Sequence, residues 1–133
     1  EPRDIQSAAD YPYLSLSWSI LKEDNRYATV FDRNFAQRRD VVFYLGAKLS
    51  GDQMVDVYDQ LKATNLPTLY AATNPFDDWA EAFVTYVHTV MMNKPFGIRI
   101  YRDGKVVRDY KSCWIEKRCE DKRIIIERFL QGR

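Results

Sequence analysis

The segment Asn74-Pro75-Phe76-Asp77-Asp78 constrains the fold of this chain more than any other. Asparagine accepts hydrogen bonds from first-turn amides, proline suits the first helical position, and two carboxylates favour the positive end of the helix dipole. A helix is therefore predicted to begin at Pro75 and run to about Met92, ending before Pro95. Its expected apolar face carries Trp79, Phe83, Tyr86, Val87 and Val90. Asp77 and Glu81, four residues apart, share another face. Thr85 and His88 extend that stripe, because eleven residues make almost three whole turns.

Around this helix the pattern is mixed. Glu1 to Trp18 is ambiguous, with Pro2 and Pro12 breaking it and Tyr-Leu-Ser-Leu-Ser-Trp alternating weakly. Asn25 to Asp40, with Arg26, Arg33, Arg38 and Arg39, reads as an exposed loop, and Val41 to Leu45 is too short a run to assign. Ser50 or Asp52 is placed to cap a second helix whose apolar positions Met54, Val57, Tyr58 and Leu61 follow helical spacing, stopping near Asn65. Ile98 to Tyr110 reads as a β-hairpin turning at Asp103-Gly104. A last helix, Asp121 to about Gln131, is expected to present Ile124, Ile125, Phe129 and Leu130 to the core. The sum is one α+β domain over residues 1–133, mostly helical, with one small hairpin.

Composition narrows the function classes. The chain has 133 residues, 46% hydrophobic, with nine Tyr, seven Phe and three Trp, enough to build a core. A net charge of +1 gives no electrostatic reason to expect nucleic acid, and Arg38-Arg39 and Lys117-Arg118 are isolated basic pairs. No apolar run approaches the ~20 residues of a membrane span. The five glycines are scattered, which excludes a phosphate-cradling loop. Cys113 and Cys119 are too few for a zinc knuckle. They are either a local disulfide, which would favour a secreted or periplasmic setting, or two separate thiols. A cysteine nucleophile has only His88 as a candidate base, and nothing in the sequence places them together.

The acidic stripe has two readings. Carboxylates in a first helical turn serve as caps and dipole partners. They also ligate divalent metals, with a second carboxylate orienting a ligand from behind. His88, alone near the helix end, reads as a packed or surface histidine.

The fourteen residues Tyr70 to Phe83, Tyr-Ala-Ala-Thr-Asn-Pro-Phe-Asp-Asp-Trp-Ala-Glu-Ala-Phe, resemble a signature of gluzincin-like zinc metallopeptidases. There the pattern is roughly Tyr-Ala-x-x-Asn-Pro-x-Glu-Asp-Phe-Ala-Glu-x-Phe, continued by a Tyr-Val or Tyr-Leu pair such as Tyr86-Val87. The segment is also similar to the catalytic segment of anthrax lethal factor, where a tyrosine precedes a glutamate ligand by seven residues. The likeness covers about Leu66 to Pro95, with a weaker one at Tyr13 to Trp18. It implies a zincin-like C-terminal subdomain in which Asp77 stands at the third zinc ligand. Glu81 takes the place of the outer carboxylate, and Tyr70 that of the oxyanion donor. The implied hydrolase attacks a peptide bond with zinc-activated water, with a glutamate between two histidines as general base.

Two departures qualify the likeness. Asp77 reaches about 1.5 Å less far than glutamate. Asp78 as the ligand after a one-residue shift would lie about 100° around the helix. The His-Glu-x-x-His helix itself is absent from all 133 residues. The resemblance therefore implies the C-terminal portion of a zinc metallopeptidase, acting on a peptide or protein substrate. An upstream fragment would carry the histidines, and a start at Glu-Pro-Arg-Asp suits such a piece. This chain alone is expected neither to hold catalytic zinc tightly nor to cleave peptides. An apolar surface at Trp79 and Phe83, left by a missing helix, would favour a homodimer. The alternative is a non-catalytic zincin-like binding or regulatory domain, with Trp18, Tyr44, Trp79 and Trp114 as candidate contact residues.

Overall fold

The computed structural model describes residues 10–23, 26–44 and 46–132. Helix α1 (Pro12–Ser15) leads into the antiparallel pair β1 (Trp18–Glu23) and β2 (Arg26–Thr29). Helix α2 (Met54–Lys62) and α3 (Pro75–Tyr86) follow, then the hairpin β3 (Gly97–Arg102) and β4 (Lys105–Lys111), and α4 (Glu120–Leu130). Each sheet has two strands and the sheets do not join, so the fold is α+β and mostly helical. No helix among the described residues is long and apolar enough to cross a membrane.

Local chemistry accounts for the element starts. Ser50 and Gln53 form a reciprocal capping box ahead of α2, which buries Val57 and Leu61 with Met54 and Tyr58 partly covered, as the spacing predicts. Asn74 is extended (φ −164°, ψ 167°) and accepts from the Asp77 amide at 2.9 Å, so α3 begins at Pro75. Past Tyr86 the same helix widens into a π turn, Val87–Met91, and ends before Asn93 at positive φ. Asp103 (φ 51°) and Gly104 (φ 75°) make the tight turn between β3 and β4, with both residues left-handed as a primed turn requires.

The core is two clusters. Trp18, Phe35, Val57, Leu61 and Leu66 build one, and Tyr13, Ala82, Tyr86, Trp114 and Ile126 build the other. Asp78 lies between them with no exposed surface, accepting from Trp18 Nε1 (2.9 Å) in the first and Tyr13 Oη (2.9 Å) in the second. Lys122 of α4, also fully buried, donates to Asp78 Oδ2 at 2.7 Å and sits 4.7 Å from the Tyr13 ring centroid. Burial pushes the Lys122 ammonium down from its ordinary value while Asp78 opposes it. Burial, reinforced by Asp78, holds the Tyr13 phenol protonated far above its ordinary range.

This network revises three expectations. The fully buried face of α3 centres on Asp78, Ala82, Thr85 and Tyr86; of the predicted stripe Tyr86 is buried, and Trp79 and Val90 pack partly covered against the second cluster. The buried stripe of α4 is Lys122 and Ile126, while Ile124, Phe129 and Leu130 stay exposed. Trp18 and Trp114 are core residues and unfit for a contact surface, although Tyr44 is exposed. Arg38 is a fourth correction. Instead of lying in an exposed loop it is 3% exposed, paired with Asp32 and donating to Ala72 O (3.0 Å) and Tyr27 O (3.1 Å). Arg26 falls in β2, and Asn25, Leu45 and residues 1–9 lie outside the described residues.

Cys113 and Cys119 are joined in a disulfide across a six-residue separation, with Cα atoms 5.7 Å apart. The loop it closes buries Trp114 and aims Arg118 at Thr64 O (3.1 Å) and Leu66 O (3.0 Å). Both clusters are therefore tied to the turn after α2.

Two stability outcomes follow. Asp78→Ala strands Lys122, Tyr13 and Trp18 without their acceptor and should lower unfolding free energy by about 3–5 kcal/mol in urea titration. Combining it with Lys122→Met should cost clearly less than the sum of the two single changes, because the unpaired charge is gone. Full additivity would show that the pair does not couple. Reducing the disulfide should cost about 2 kcal/mol, the loop-closure entropy of so short a ring, read as a lower urea midpoint.

Candidate functional site

Asp77 sits at the third position of α3, where its carboxylate returns the cap that Asn74 provides. Oδ2 accepts from Asn74 Nδ2 at 2.6 Å and from Thr73 Oγ1 at 2.7 Å. Among the described residues Oδ1 has no hydrogen-bond donor, so it is the oxygen left for another ligand. The capping role read from the first turn is thus realised in full.

Glu81 follows one turn later on the same face. It accepts from Thr68 Oγ1 at 2.8 Å, and that hydroxyl accepts from the Ala71 amide at 3.0 Å. The bond ties α3 to the segment in front of it, a 3-10 turn Tyr70–Ala72. Arg38 holds the far end of that turn through the Ala72 carbonyl. The buried arginine and the threonine together fix where Tyr70 stands.

Tyr70 projects from this turn, half-buried, with its hydroxyl 3.3 Å from that of Tyr44 and its ring 4.9 Å from Phe43. Its pKa is pushed up to about 12, first by the hydrogen bond with Tyr44, then by desolvation and by the negative charges of Asp77 and Glu81. At neutral pH Tyr70 carries its proton, as an ordinary phenol does, and its hydroxyl pairs with that of Tyr44. The fold brings Tyr70, Asp77 and Glu81 into one electrostatic neighbourhood at the N-terminal end of α3.

The other candidates lie elsewhere. Thr85 is buried, bonding Glu81 O (2.7 Å) and accepting from Trp114 Nε1 (2.9 Å). His88 lies within 3.1 Å of Pro95 O through Nε2. Eleven residues of helix put it about 16 Å along the axis from Asp77, too far to share an ion. Asp78 cannot be the shifted ligand, because Tyr13, Trp18 and Lys122 fill its carboxylate in the core. Sequence reasoning missed Thr68, Thr73 and Phe43, which carry no motif, and took Tyr44 only as a generic aromatic contact.

Among the described residues no three His, Cys, Asp or Glu side chains stand close enough to hold a metal ion. Catalytic zinc takes three protein ligands and a water. Asp77 would be a single donor, so the donor set of the described residues does not by itself fit a resident zinc. What the arrangement offers is a polarised phenol, a capped carboxylate with one oxygen open, and a supporting carboxylate one turn behind.

Tyr70 and Glu81 also line a cleft of about 220 Å³. Its other walls come from α2, from the β3–β4 hairpin and from Arg118 of the disulfide loop.

Removing the Tyr44 hydroxyl with Tyr44→Phe should lower the Tyr70 pKa from about 12 toward the ordinary phenol value, followed by phenolate absorbance with Tyr70→Phe as the reference. An unchanged titration would show that Tyr44 does not perturb Tyr70. No protein-family model matches this chain, and neither the curated proteins nor the solved structures contain one that is detectably similar to it.

Proposed function

We propose that this chain is the C-terminal portion of a zinc-dependent metallopeptidase, with histidine ligands supplied by a segment other than the described residues. The observation that carries this reading is the gathering of Tyr70, Asp77 and Glu81, all half-buried, at the N-terminal end of α3. Peptide hydrolysis builds negative charge on the carbonyl oxygen, and a protonated phenol is a donor suited to it. Asp77 contributes Oδ1 as a ligand, with Thr73 and Asn74 orienting the carboxylate from behind. Glu81, held by Thr68, is the outer carboxylate. Zinc, bound in the completed unit, would supply the activated water. The Cys113–Cys119 bond favours an oxidising compartment, secreted or periplasmic, for the proposed peptidase.

A second reading, a non-catalytic binding domain of the same fold, draws on Asp77. Its Oδ2 already serves Asn74 and Thr73, and its reach is shorter than that of glutamate. Such a domain keeps the cap and holds no metal.

Co-expressing the chain with the coding sequence immediately upstream separates the two. On the peptidase reading the product retains zinc by atomic emission and cleaves quenched-fluorescent peptides. Asp77→Ala then weakens zinc retention by about 10–100-fold. Tyr70→Phe keeps the metal and lowers kcat by about 10²–10³-fold. An upstream frame without His-Glu-x-x-His, in a product that retains no zinc, sinks the peptidase reading and leaves the binding domain.

A further inference from the structure

We propose that Phe43 and Tyr44 form a latch that covers Tyr70 in the resting protein and has to swing off before Tyr70 meets a substrate. The latch rests on the peptidase reading for its purpose, while the contact itself needs no metal.

Both side chains are committed to one partner. The Phe43 ring lies edge-on to that of Tyr70 at 4.9 Å, the Tyr44 ring at 6.4 Å, and the Tyr44 and Tyr70 hydroxyls are 3.3 Å apart. Among the described residues Phe43 and Tyr44 make no other ring contact or side-chain hydrogen bond. The hydroxyl bond is longer than the roughly 2.7–2.8 Å usual between two oxygens, so a better acceptor displaces it.

The same contact obstructs the role proposed for Tyr70. A phenol has one proton to give. Given to Tyr44, it is not there for a developing oxyanion. When Tyr44 donates instead, its hydroxyl still stands against the oxygen that a substrate has to reach. Phe43 adds bulk at the same place, because it lines the cleft that Tyr70 and Glu81 share.

The root of the latch is fixed and its tip is not. Val41 is buried, and its amide donates to Arg38 O at 3.1 Å. Arg38 also holds Ala72 O, at the end of the turn that carries Tyr70. One arginine thus places both the root and the residue it covers. Phe43 is 51% and Tyr44 69% exposed, so neither is tied into the core. The described residues between Asp40 and Gly51 form no strand and no α-helix, and displacing the pair breaks no backbone ladder. The carbonyl oxygens of an extended peptide are the acceptors that would compete with Tyr44 for the Tyr70 hydroxyl.

The test begins with the metal-free chain carrying ¹³C-labelled Phe and Tyr rings. Relaxation dispersion should show Phe43, Tyr44 and Tyr70 exchanging at one shared rate in the μs–ms range. In Phe43→Ala/Tyr44→Ala, checked for native amide dispersion, Tyr70 should lose that exchange and relax faster beside a soluble gadolinium chelate. Tyr44→Phe, which removes only the hydroxyl bond, should raise the open fraction. A Tyr70 ring with no exchange shared with Phe43 and Tyr44, or one unmoved in the double variant, overturns the latch.

The second arm uses the chain extended by its upstream coding sequence. There the double variant should raise kcat/KM on quenched-fluorescent peptides by the inverse of the open fraction that dispersion gives. Zinc-dependent cleavage that the double variant leaves unchanged or lowers overturns the latch and keeps the peptidase. An extended form that takes up no zinc, with the shared ring exchange intact, sinks the peptidase reading and keeps Phe43 and Tyr44 as a moving cover on Tyr70.

Discussion

The carboxylate of Asp78 sets the rotation of α3, and what that helix shows to solvent follows from it. A buried charge without partners is untenable, so its three donors from α1, β1 and α4 must meet it at one place. Turning α3 by even one residue would pull Asp78 from Lys122 and drive Asp77 into the core. The neighbouring aspartates thus have opposite duties. One is spent on joining two hydrophobic clusters, and the other is carried about 100° around, to the side where Tyr70 and Glu81 stand.

That coupling explains which parts of the fold were legible in the sequence. Helix starts and the hairpin turn are local: Ser50 with Gln53, Asn74 with Pro75, and Asp103 with Gly104 each satisfy backbone groups within a few residues. They were readable because no distant partner decides them. Helix phase is not local. In α4 an apolar run, Ile124-Ile125-Ile126, offers several possible inward faces, and the one chosen is the face that brings Lys122 to Asp78. A lysine at the centre of a core is invisible to hydrophobic periodicity. Arg38 was hidden for the same reason, since its partners Asp32, Tyr27 and Ala72 come from separate segments.

The candidate site was legible in its residues but not in its support. Spacing put Asp77 and Glu81 on one face, and the resemblance singled out Tyr70 ahead of them. The structure adds the reasons these groups are held: Thr73 and Asn74 on Asp77, Thr68 on Glu81, and Tyr44 with Phe43 on Tyr70. Capping and metal ligation are not rivals at Asp77. Two donors on Oδ2 orient the group and leave Oδ1 without a donor among the described residues. The same bonds also restrict its reach, and the shorter aspartate side chain has little slack to recover it.

The three residues therefore carry unequal weight. Asp77 completes a helix cap and Glu81 ties α3 to the preceding turn, so the fold alone accounts for both. Tyr70 packs its ring on Phe43 and Tyr44, and its hydroxyl caps no helix. Its backbone position is fixed by Arg38 and Thr68 through its neighbours Ala72 and Ala71, and its hydroxyl meets only another exposed hydroxyl, that of Tyr44. The hydrogen bond with Tyr44 raises the Tyr70 pKa first, with desolvation and the charges of Asp77 and Glu81 adding to it. On the proposed peptidase reading a protonated donor at that point meets the developing anion, and that proposal rests on Tyr70 more than on either acid.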